Sequence, residues 1–186
     1  MRILHLIPTL DPSYGGPVAA LREAEAATRA RGVTRTVATL DLPDDPWVRS
    51  APFAVAPFGC ALARRGRRTL PWLRYGFTPH LAPWLRRHAG RHDRVVVHGL
   101  WHYGAFAARR VLPGSGIPYF VFPHGMLDPW FRAAQPLKHG AKQLSWWANE
   151  GPLLAGARAV LFTSAGEREA AAGAFRPYRL RGVVAG

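Results

Sequence analysis

Short apolar runs alternate with amphipathic stretches along most of this chain. The first run, Arg2 to Pro8, is largely apolar and ends in a turn rich in Pro, Asp and Gly, which is typical of a strand buried on both faces of a parallel sheet. An Ala-rich stretch follows Pro17 and stops at Gly32, and this pattern predicts a helix with a proline start and a glycine stop. The chain therefore opens with a strand, a Gly-rich turn and a helix.

The alternation continues to the carboxyl end. Further elements are predicted in chain order: strands at 34–40 and 53–58, short helices and turns at 64–91, a strand at 94–98, a helix at 103–111, a strand at 118–123, a helix at 137–155, a strand at 158–163, a short helix at 166–173 and a strand at 178–184. Strands separated by helices need crossover connections, which make a sheet parallel and cover both its faces. The predicted fold class is α/β, with one Rossmann-like domain over residues 1–186.

Composition limits where the protein works. No stretch of about 18 apolar residues occurs, and His5, Pro8 and Asp11 interrupt the first run, so neither a membrane-spanning helix nor a signal peptide is predicted. A cytoplasmic protein is expected. The single cysteine, Cys60, excludes an internal disulfide and is interpreted as a packing residue.

The formal charge of +14 comes mostly from arginine. Two explanations stay open: a GC-rich genome that replaces lysine by arginine, or attraction to a polyanionic partner. Nucleic acid is the less favoured partner, because no nucleic-acid-binding motif is visible. Arginines interleave with aromatic residues between Arg64 and Arg91, and this mixture suits an anionic membrane surface. The alternative for that segment is a solvated arginine face with its tryptophans packed on the sheet.

Glycines, histidines and tryptophans are concentrated where predicted strands end. Gly15 and Gly16 lie between the first strand and the first helix, where backbone amides and the helix dipole can face a phosphate group. A tight turn that needs positive φ explains two glycines equally well. The strand at 94–98 leads into HGLWH, and the strand at 118–123 leads into PHGMLDPW.

The two strand-end clusters indicate a carbohydrate site. Open α/β sheets bind ligands at the carboxyl ends of their strands, imidazole and carboxylate groups hydrogen-bond hydroxyls, and tryptophan offers an apolar face to a sugar ring. The alternative is that His98 and His124 only cap strand ends through backbone hydrogen bonds. No metal site is predicted, because His98 and His102 lack the further donors that a metal needs.

Several motifs in a fixed order resemble family 4 glycosyltransferases of the GT-B fold. They are RILHLIP at 2–8, GGP at 15–17, HGLW at 98–101, PHGMLDPW at 123–130, LFTSAGE at 161–167 and the closing FRPYRLRGVVAG, which is similar to the stretch before the interdomain linker. The resemblance covers essentially the whole chain. It implies retaining transfer of a sugar from a nucleotide diphosphate sugar, used as co-substrate without a metal or other cofactor, to a polysaccharide or lipid-linked acceptor.

The resemblance also implies roles for particular residues. Gly15 and Gly16 correspond to the loop that approaches the donor diphosphate, and His124 to the histidine that approaches the donor sugar. Asp128 is a second catalytic candidate, although it could equally cap the following turn. Four further residues are expected to line the acceptor cleft: His98, Trp101, His102 and Trp130.

The resemblance further implies that half of the enzyme is missing. In this family the donor nucleotide and the residues that neutralise the leaving diphosphate belong mainly to a carboxyl-terminal domain, and none follows Gly186 in this sequence. We therefore expect the acceptor-side half of a transferase, inactive without a donor domain or split-gene partner. The alternatives are a non-catalytic remnant that binds acceptors or the inner membrane surface and, less favoured, a nucleic-acid-binding protein.

Overall fold

A seven-stranded parallel sheet forms the centre of the domain. The computed structural model describes residues 1–61 and 75–185. The strands are β1 (Arg2–Ile7), β2 (Thr34–Thr39), β3 (Ala54–Pro57), β4 (Arg94–His98), β5 (Tyr119–Phe122), β6 (Ala159–Phe162) and β7 (Gly182–Val184). Their order is β3-β2-β1-β4-β5-β6-β7, and every pair is parallel. The predicted α/β class is confirmed, with β1 and β4 at the centre.

Helices connect these strands. They are α1 (Gly16–Thr28), α2 (Pro46–Arg49), α3 (Leu81–His88), α4 (Tyr103–Val111), α5 (Trp130–Ala134), α6 (Pro136–Ser145), α7 (Gly151–Gly156) and α8 (Ala165–Ala171), and a π-helical segment, Trp146–Glu150, joins α6 to α7. None of the helices in the described ranges has the length and apolar character needed to cross a membrane. The prolines at 17, 46, 136 and 152 all lie in a first helical turn, where the missing N–H costs no hydrogen bond.

The sheet separates two apolar clusters. Side chains alternate along each strand, so Leu4, Leu6 and Val97 join a large cluster with α4 and α7. Ile7 and Val37 point to the other face, where they pack with residues of α1. Glu25 of α1 is buried there and forms an ion pair of 3.0 Å with Arg35 of β2. The α1 face therefore combines apolar packing with a buried ion pair.

The helix predicted at 137–155 is divided in the structure. It comprises α6, the π-helical segment and α7, and α5 precedes it without having been predicted. Pro152 supplies the reason, because its ring cannot follow an unbroken α-helical turn and its nitrogen donates no hydrogen bond. The π-helical segment widens the helix just before this proline.

The Arg-rich segment predicted at 64–91 lies partly outside the described residues, which resume at Tyr75. In the described part, Trp84 packs edge-on against Phe58 and stacks on His88, while Arg86 and Arg87 are exposed. Trp84 is therefore a packing residue rather than an exposed interfacial one. The interpretation of Cys60 as a packing residue is wrong, because its side chain is exposed.

Candidate functional site

Loops from three neighbouring strands meet at one edge of the sheet. Because β1, β4 and β5 are adjacent and parallel, their carboxyl ends place the Gly15–Gly16 turn, the His98–His102 loop and the His124–Trp130 loop side by side. The phenol oxygen of Tyr14 lies 3.3 Å from the position a β-carbon would occupy on Gly99, which shows how closely the first two loops approach. The predicted grouping of these loops is therefore present.

A diagonal row of imidazoles crosses this edge on the α1 face. His5 is paired in register with Val96, two residues before His98, and His98 is paired with Phe122, two residues before His124. Side chains two residues apart on a strand share a face, which places His5 and His98 on the same face, and the hydrogen bond between His98 and His124 adds the third imidazole. From His5 to His98 to His124, each histidine lies two residues closer to the carboxyl-terminal edge of the sheet than the one before it.

Hydrogen bonds connect the row from end to end. His5 Nδ1 lies 2.9 Å from His98 Nε2, and His98 Nδ1 lies 2.9 Å from His124 Nε2. The rings of His98 and His124 are nearly parallel, at 9°. At the inner end, His5 Nε2 is buried and has no hydrogen-bond partner among the described residues. The histidines thus bond to one another, and neither His98 nor His124 caps its strand.

Burial keeps these imidazoles neutral. It lowers the pKa of His5 to about 3, with a further contribution from the cationic Arg35. It also lowers the pKa of His98 well below its usual value, assisted by the neighbouring histidines. His124 is partly exposed, and burial lowers its pKa to about 4 against the opposing charge of Glu167. At neutral pH the row carries hydrogen-bonding groups and no net charge.

The outer histidine lies on an uncommon backbone turn. His124 has a φ of 52° and Gly125 a φ of 74°, and the turn closes with a hydrogen bond of 3.2 Å from Met126 N–H to Pro123 O. Left-handed conformations at residues other than glycine are infrequent and cluster at functional sites. Trp101, in the neighbouring loop, has a φ of 55°. Both loops at this edge therefore hold a large side chain in a left-handed conformation.

Glu167 holds the His124 loop against the next strand. Its carboxylate accepts hydrogen bonds from Gly125 N–H at 2.8 Å, Thr163 N–H at 2.8 Å and the Thr163 hydroxyl at 2.6 Å. Burial raises the pKa of Glu167, but these hydrogen bonds and His124 outweigh burial and lower it. Sequence reasoning did not assign Glu167 a role, although Ser164 and Glu167 show the spacing of a helix-capping pair.

The two glycines of the Gly15–Gly16 turn have different backbone conformations. Gly15 has φ 82° and ψ −137°, a combination that is essentially restricted to glycine. Gly16 begins α1 with a negative φ, so positive φ explains only the first glycine. Gly15 N–H already donates to Pro12 O and Pro17 has no N–H, so the Gly16 amide is the donor of this turn that could face a phosphate.

Two of the residues predicted to line the acceptor cleft, His102 and Trp101, pack within the domain. His102 is buried, its Nε2 donates to His98 O at 2.9 Å and its Nδ1 accepts from Ala105 N–H at 3.3 Å. His102 therefore caps α4, and a ligand could use its ring only by replacing one of these bonds. Trp101 packs against Phe175, with the Lys142 ammonium 3.9 Å from its ring centre.

Asp128 and Trp130 are both exposed at the surface. Asp128 is exposed and accepts a hydrogen bond of 2.8 Å from Trp130 N–H, so the turn-capping alternative for Asp128 describes the geometry. Trp130 is 63% exposed. The catalytic role of Asp128 and the acceptor contact of Trp130 stay predictions.

A separate cavity of about 430 Å³ lies over the ends of β1 and β2. Three aspartates, two aromatic residues and hydroxyl groups line it: Asp11, Asp41, Asp45, Tyr14, Trp47, Thr9 and Ser13. Asp41 accepts hydrogen bonds from the Thr9 and Thr39 hydroxyls and from Leu10 N–H, at 2.6–2.7 Å. No lysine or arginine occurs among its described lining residues. Sequence analysis missed Asp41 and Trp47, because nothing in the DLPDDPW segment sets them apart from a turn.

Metal coordination finds no support in the described ranges. No group of three or more His, Cys, Asp and Glu side chains in those ranges is arranged to hold a metal ion. The facing nitrogens of the three histidines bind each other, at 2.9 Å.

Comparisons with known proteins agree with this architecture. The family model described as a glycosyl transferase 4-like domain matches residues 15–185. The sucrose-phosphate synthase of Thermosynechococcus elongatus has a similar fold, with a TM-score of 0.56 at 15% sequence identity over 98% of this chain and 47% of that one. The chain thus spans about half the length of that structure. A search of curated proteins gave no match. Since the family model covers most of its length, the chain belongs to the glycosyl transferase 4-like family.

Proposed function

We propose that this chain is the acceptor-side half of a retaining glycosyltransferase. The enzyme would transfer a sugar from a nucleotide diphosphate sugar to a hydroxyl of a polysaccharide or lipid-linked acceptor, without a bound metal or other cofactor. The position of His124 carries the proposal: a neutral imidazole at the end of β5, on a left-handed turn of a family member. A neutral imidazole can hydrogen-bond a sugar hydroxyl without attracting or repelling charge.

The donor diphosphate is assigned to the Gly15–Gly16 turn. Its support is the Gly16 amide at the start of α1, where the helix dipole favours an anion. A titration of the chain with a nucleoside diphosphate, followed by amide NMR, tests this assignment. We expect shifts at Gly16 and its neighbours, and none at Gly114 and Gly116, which lie in the loop before β5 at the opposite edge. Equal shifts at both glycine pairs would contradict the assignment.

The acceptor is assigned to the aspartate-lined cavity and to Trp101 and Trp130. Carboxylates and hydroxyls can bind sugar hydroxyl groups, and Trp47 can pack against the apolar face of a sugar ring. We therefore assign a sugar of the acceptor to this cavity.

Transfer requires a second component in this proposal. A departing diphosphate needs fixed cationic groups or hydrogen-bond donors aimed at its developing charge, and the proposal assigns these to a donor-binding domain on the same gene product or a partner chain. The isolated chain should transfer no sugar from a panel of nucleotide sugars. The complementary donor-binding domain, added in stoichiometric amount, should produce transfer. Turnover by the isolated chain, proportional to its concentration, would contradict the need for a partner.

His124→Ala in the reconstituted enzyme tests the residue that carries the proposal. We expect turnover to fall by about 10²-fold or more, the range for a positioned acid, base or charge-stabilising group. The exposed His80 provides the matched control, and His80→Ala should leave turnover unchanged. Unchanged turnover per folded molecule in His124→Ala would reject the proposed role.

Exposed apolar side chains on α6 favour a second function, reversible binding to the inner face of a membrane. Leu137 is 92% exposed and Leu144 63% exposed, and seven residues place them on one side of the helix. Trp147 is 58% exposed in the next turn, and Lys138 is exposed beside Leu137. Apolar anchors beside basic residues suit an anionic lipid surface, where the chain would meet a lipid-linked acceptor.

A further inference from the structure

We propose that His5 and His98 are positioning residues that hold His124 as its Nδ1–H tautomer, so that the His124 imidazole offers an N–H donor at the cleft. The proposal depends on the proposed function only for the nature of the ligand that receives this hydrogen bond. The tautomer itself is a property of the chain alone.

Hydrogen bonding between neutral imidazoles forces the tautomers to agree. Each neutral ring has one N–H and one unprotonated nitrogen. In the two bonds of 2.9 Å, His98 must therefore accept on one side and donate on the other. Either every proton is on Nδ1 and the bonds run from His5 towards His124, or every proton is on Nε2 and the bonds run inwards.

The buried end of the row selects the first arrangement. In the second, His5 would carry its proton on Nε2, which is buried with no partner in the described part of the chain. Buried N–H groups without an acceptor are rarer than buried acceptors without a donor. In the first arrangement the His5 Nε2 atom is unprotonated, and no N–H group is left without an acceptor there.

Fixed charges at the two ends favour the same direction. Arg35 is near enough to act electrostatically on His5, and Glu167 to act on His124. A cation beside the inner end favours a lone pair on His5, and an anion beside the outer end favours N–H groups that point outwards. The uncharged His102 donates a hydrogen bond to the carbonyl oxygen of His98 and does not compete for either ring nitrogen of His98.

The consequence concerns the outer atom of the row. His124 Nε2 accepts from His98, so the proton is on Nδ1, which has no hydrogen-bond partner within the described ranges. His124 therefore donates to a ligand oxygen and does not act as a base through Nδ1. A sugar hydroxyl oxygen or a phosphate oxygen fits this donor.

Long-range proton–nitrogen NMR of the folded chain tests the tautomer directly, because it separates protonated from unprotonated ring nitrogens. We expect Nδ1–H for His5, His98 and His124. His102 is an internal control, since its backbone partners fix the opposite form, Nε2–H. An Nε2–H signal for His124, or a mixture of both forms, would overturn the proposal without affecting the proposed function.

Two variants of His5 separate positioning from packing. His5→Asp replaces the donor that faces His98 by an acceptor-only group, so His98 should donate from Nε2 and the Nε2–H form of His124 should appear. His5→Asn keeps an N–H group near the position of Nδ1, so the His124 Nδ1–H form should be retained. If both variants fold and both leave His124 as the Nδ1–H tautomer, His5 has no positioning role. If neither folds, the spectrum of the unmodified chain still decides the direction of the row.

Discussion

The neutral buried histidines should make this domain unusually sensitive to mild acid. Burial lowers the pKa to about 3 for His5 and to about 4 for His102 and His124, whereas an unfolded histidine titrates near pH 6.5. Between about pH 4 and 6.5 the unfolded state therefore binds more protons than the folded state. Stability is fully present above pH 6.5 and is lost as the pH falls towards the folded-state pKa values.

The expected loss is large compared with the total stability of a domain. Each such histidine contributes at most about 1.4 kcal/mol per pH unit. Lowering the pH from about 6.5 to 5 should therefore reduce the free energy of unfolding by about 5 kcal/mol for the three histidines together. That is comparable to the about 5–15 kcal/mol that keeps a typical domain folded. Asp11, Asp93 and Glu167 also have lowered pKa values, but they titrate mainly below this range.

Urea unfolding at half-unit pH steps from 7.5 to 5 measures this loss. His5→Asn removes one buried imidazole and should reduce the pH dependence by about 1.4 kcal/mol per pH unit, whereas His80→Gln, at an exposed position, should not change it. A free energy of unfolding that stays within about 1 kcal/mol from pH 7 to 5 would refute the neutral burial of these groups.

Three further experiments address other parts of the structure. Gly99 and Gly114 have nearly equal φ values, 78° and 77°, so replacing either by Ala should cost about 1–2 kcal/mol of stability through backbone strain. Gly99→Ala should cost more in urea unfolding, because a β-carbon there would lie 3.2 Å from Met126 Cε and 3.3 Å from Tyr14 Oη, whereas Gly114 has open space. Glu167→Gln should cost about 1 kcal/mol by the same measurement, because an amide cannot accept all three hydrogen bonds, while Glu169→Gln on the exposed side of α8 should be neutral. In vesicle sedimentation, the chain should bind anionic liposomes more strongly than neutral ones and dissociate at about 0.5 M salt, where electrostatic screening acts over a few ångströms. The double variant Leu137→Ser with Leu144→Ser should abolish binding, whereas Phe77→Ser should not. The reverse result would assign the membrane contact to the loop that leads into α3 instead of α6.

Local patterns predicted the order of the elements well. Residues 94–98 and 103–111 have the predicted bounds, because an apolar β-branched run and an Ala-rich stretch each favour one backbone conformation. The prediction of one continuous helix at 137–155 was less accurate, because the helix is divided before Pro152. The effect of Pro152 depends on how the preceding turn can widen. The buried ion pair between Glu25 and Arg35 was not predicted, because it forms only when α1 packs on β2.

By itself the sequence determined which chemistry was available at the ends of the strands: glycines after β1, and histidine with tryptophan after β4 and β5. It could not show that His5, ninety-three residues from His98, joins the same row, because strand register follows from packing across the sheet and not from distance along the chain. Nor could it show that His102 caps a helix while His124 Nδ1 has no hydrogen-bond partner among the described residues. These assignments depend on burial and on hydrogen-bond partners, and only the tertiary structure supplies them.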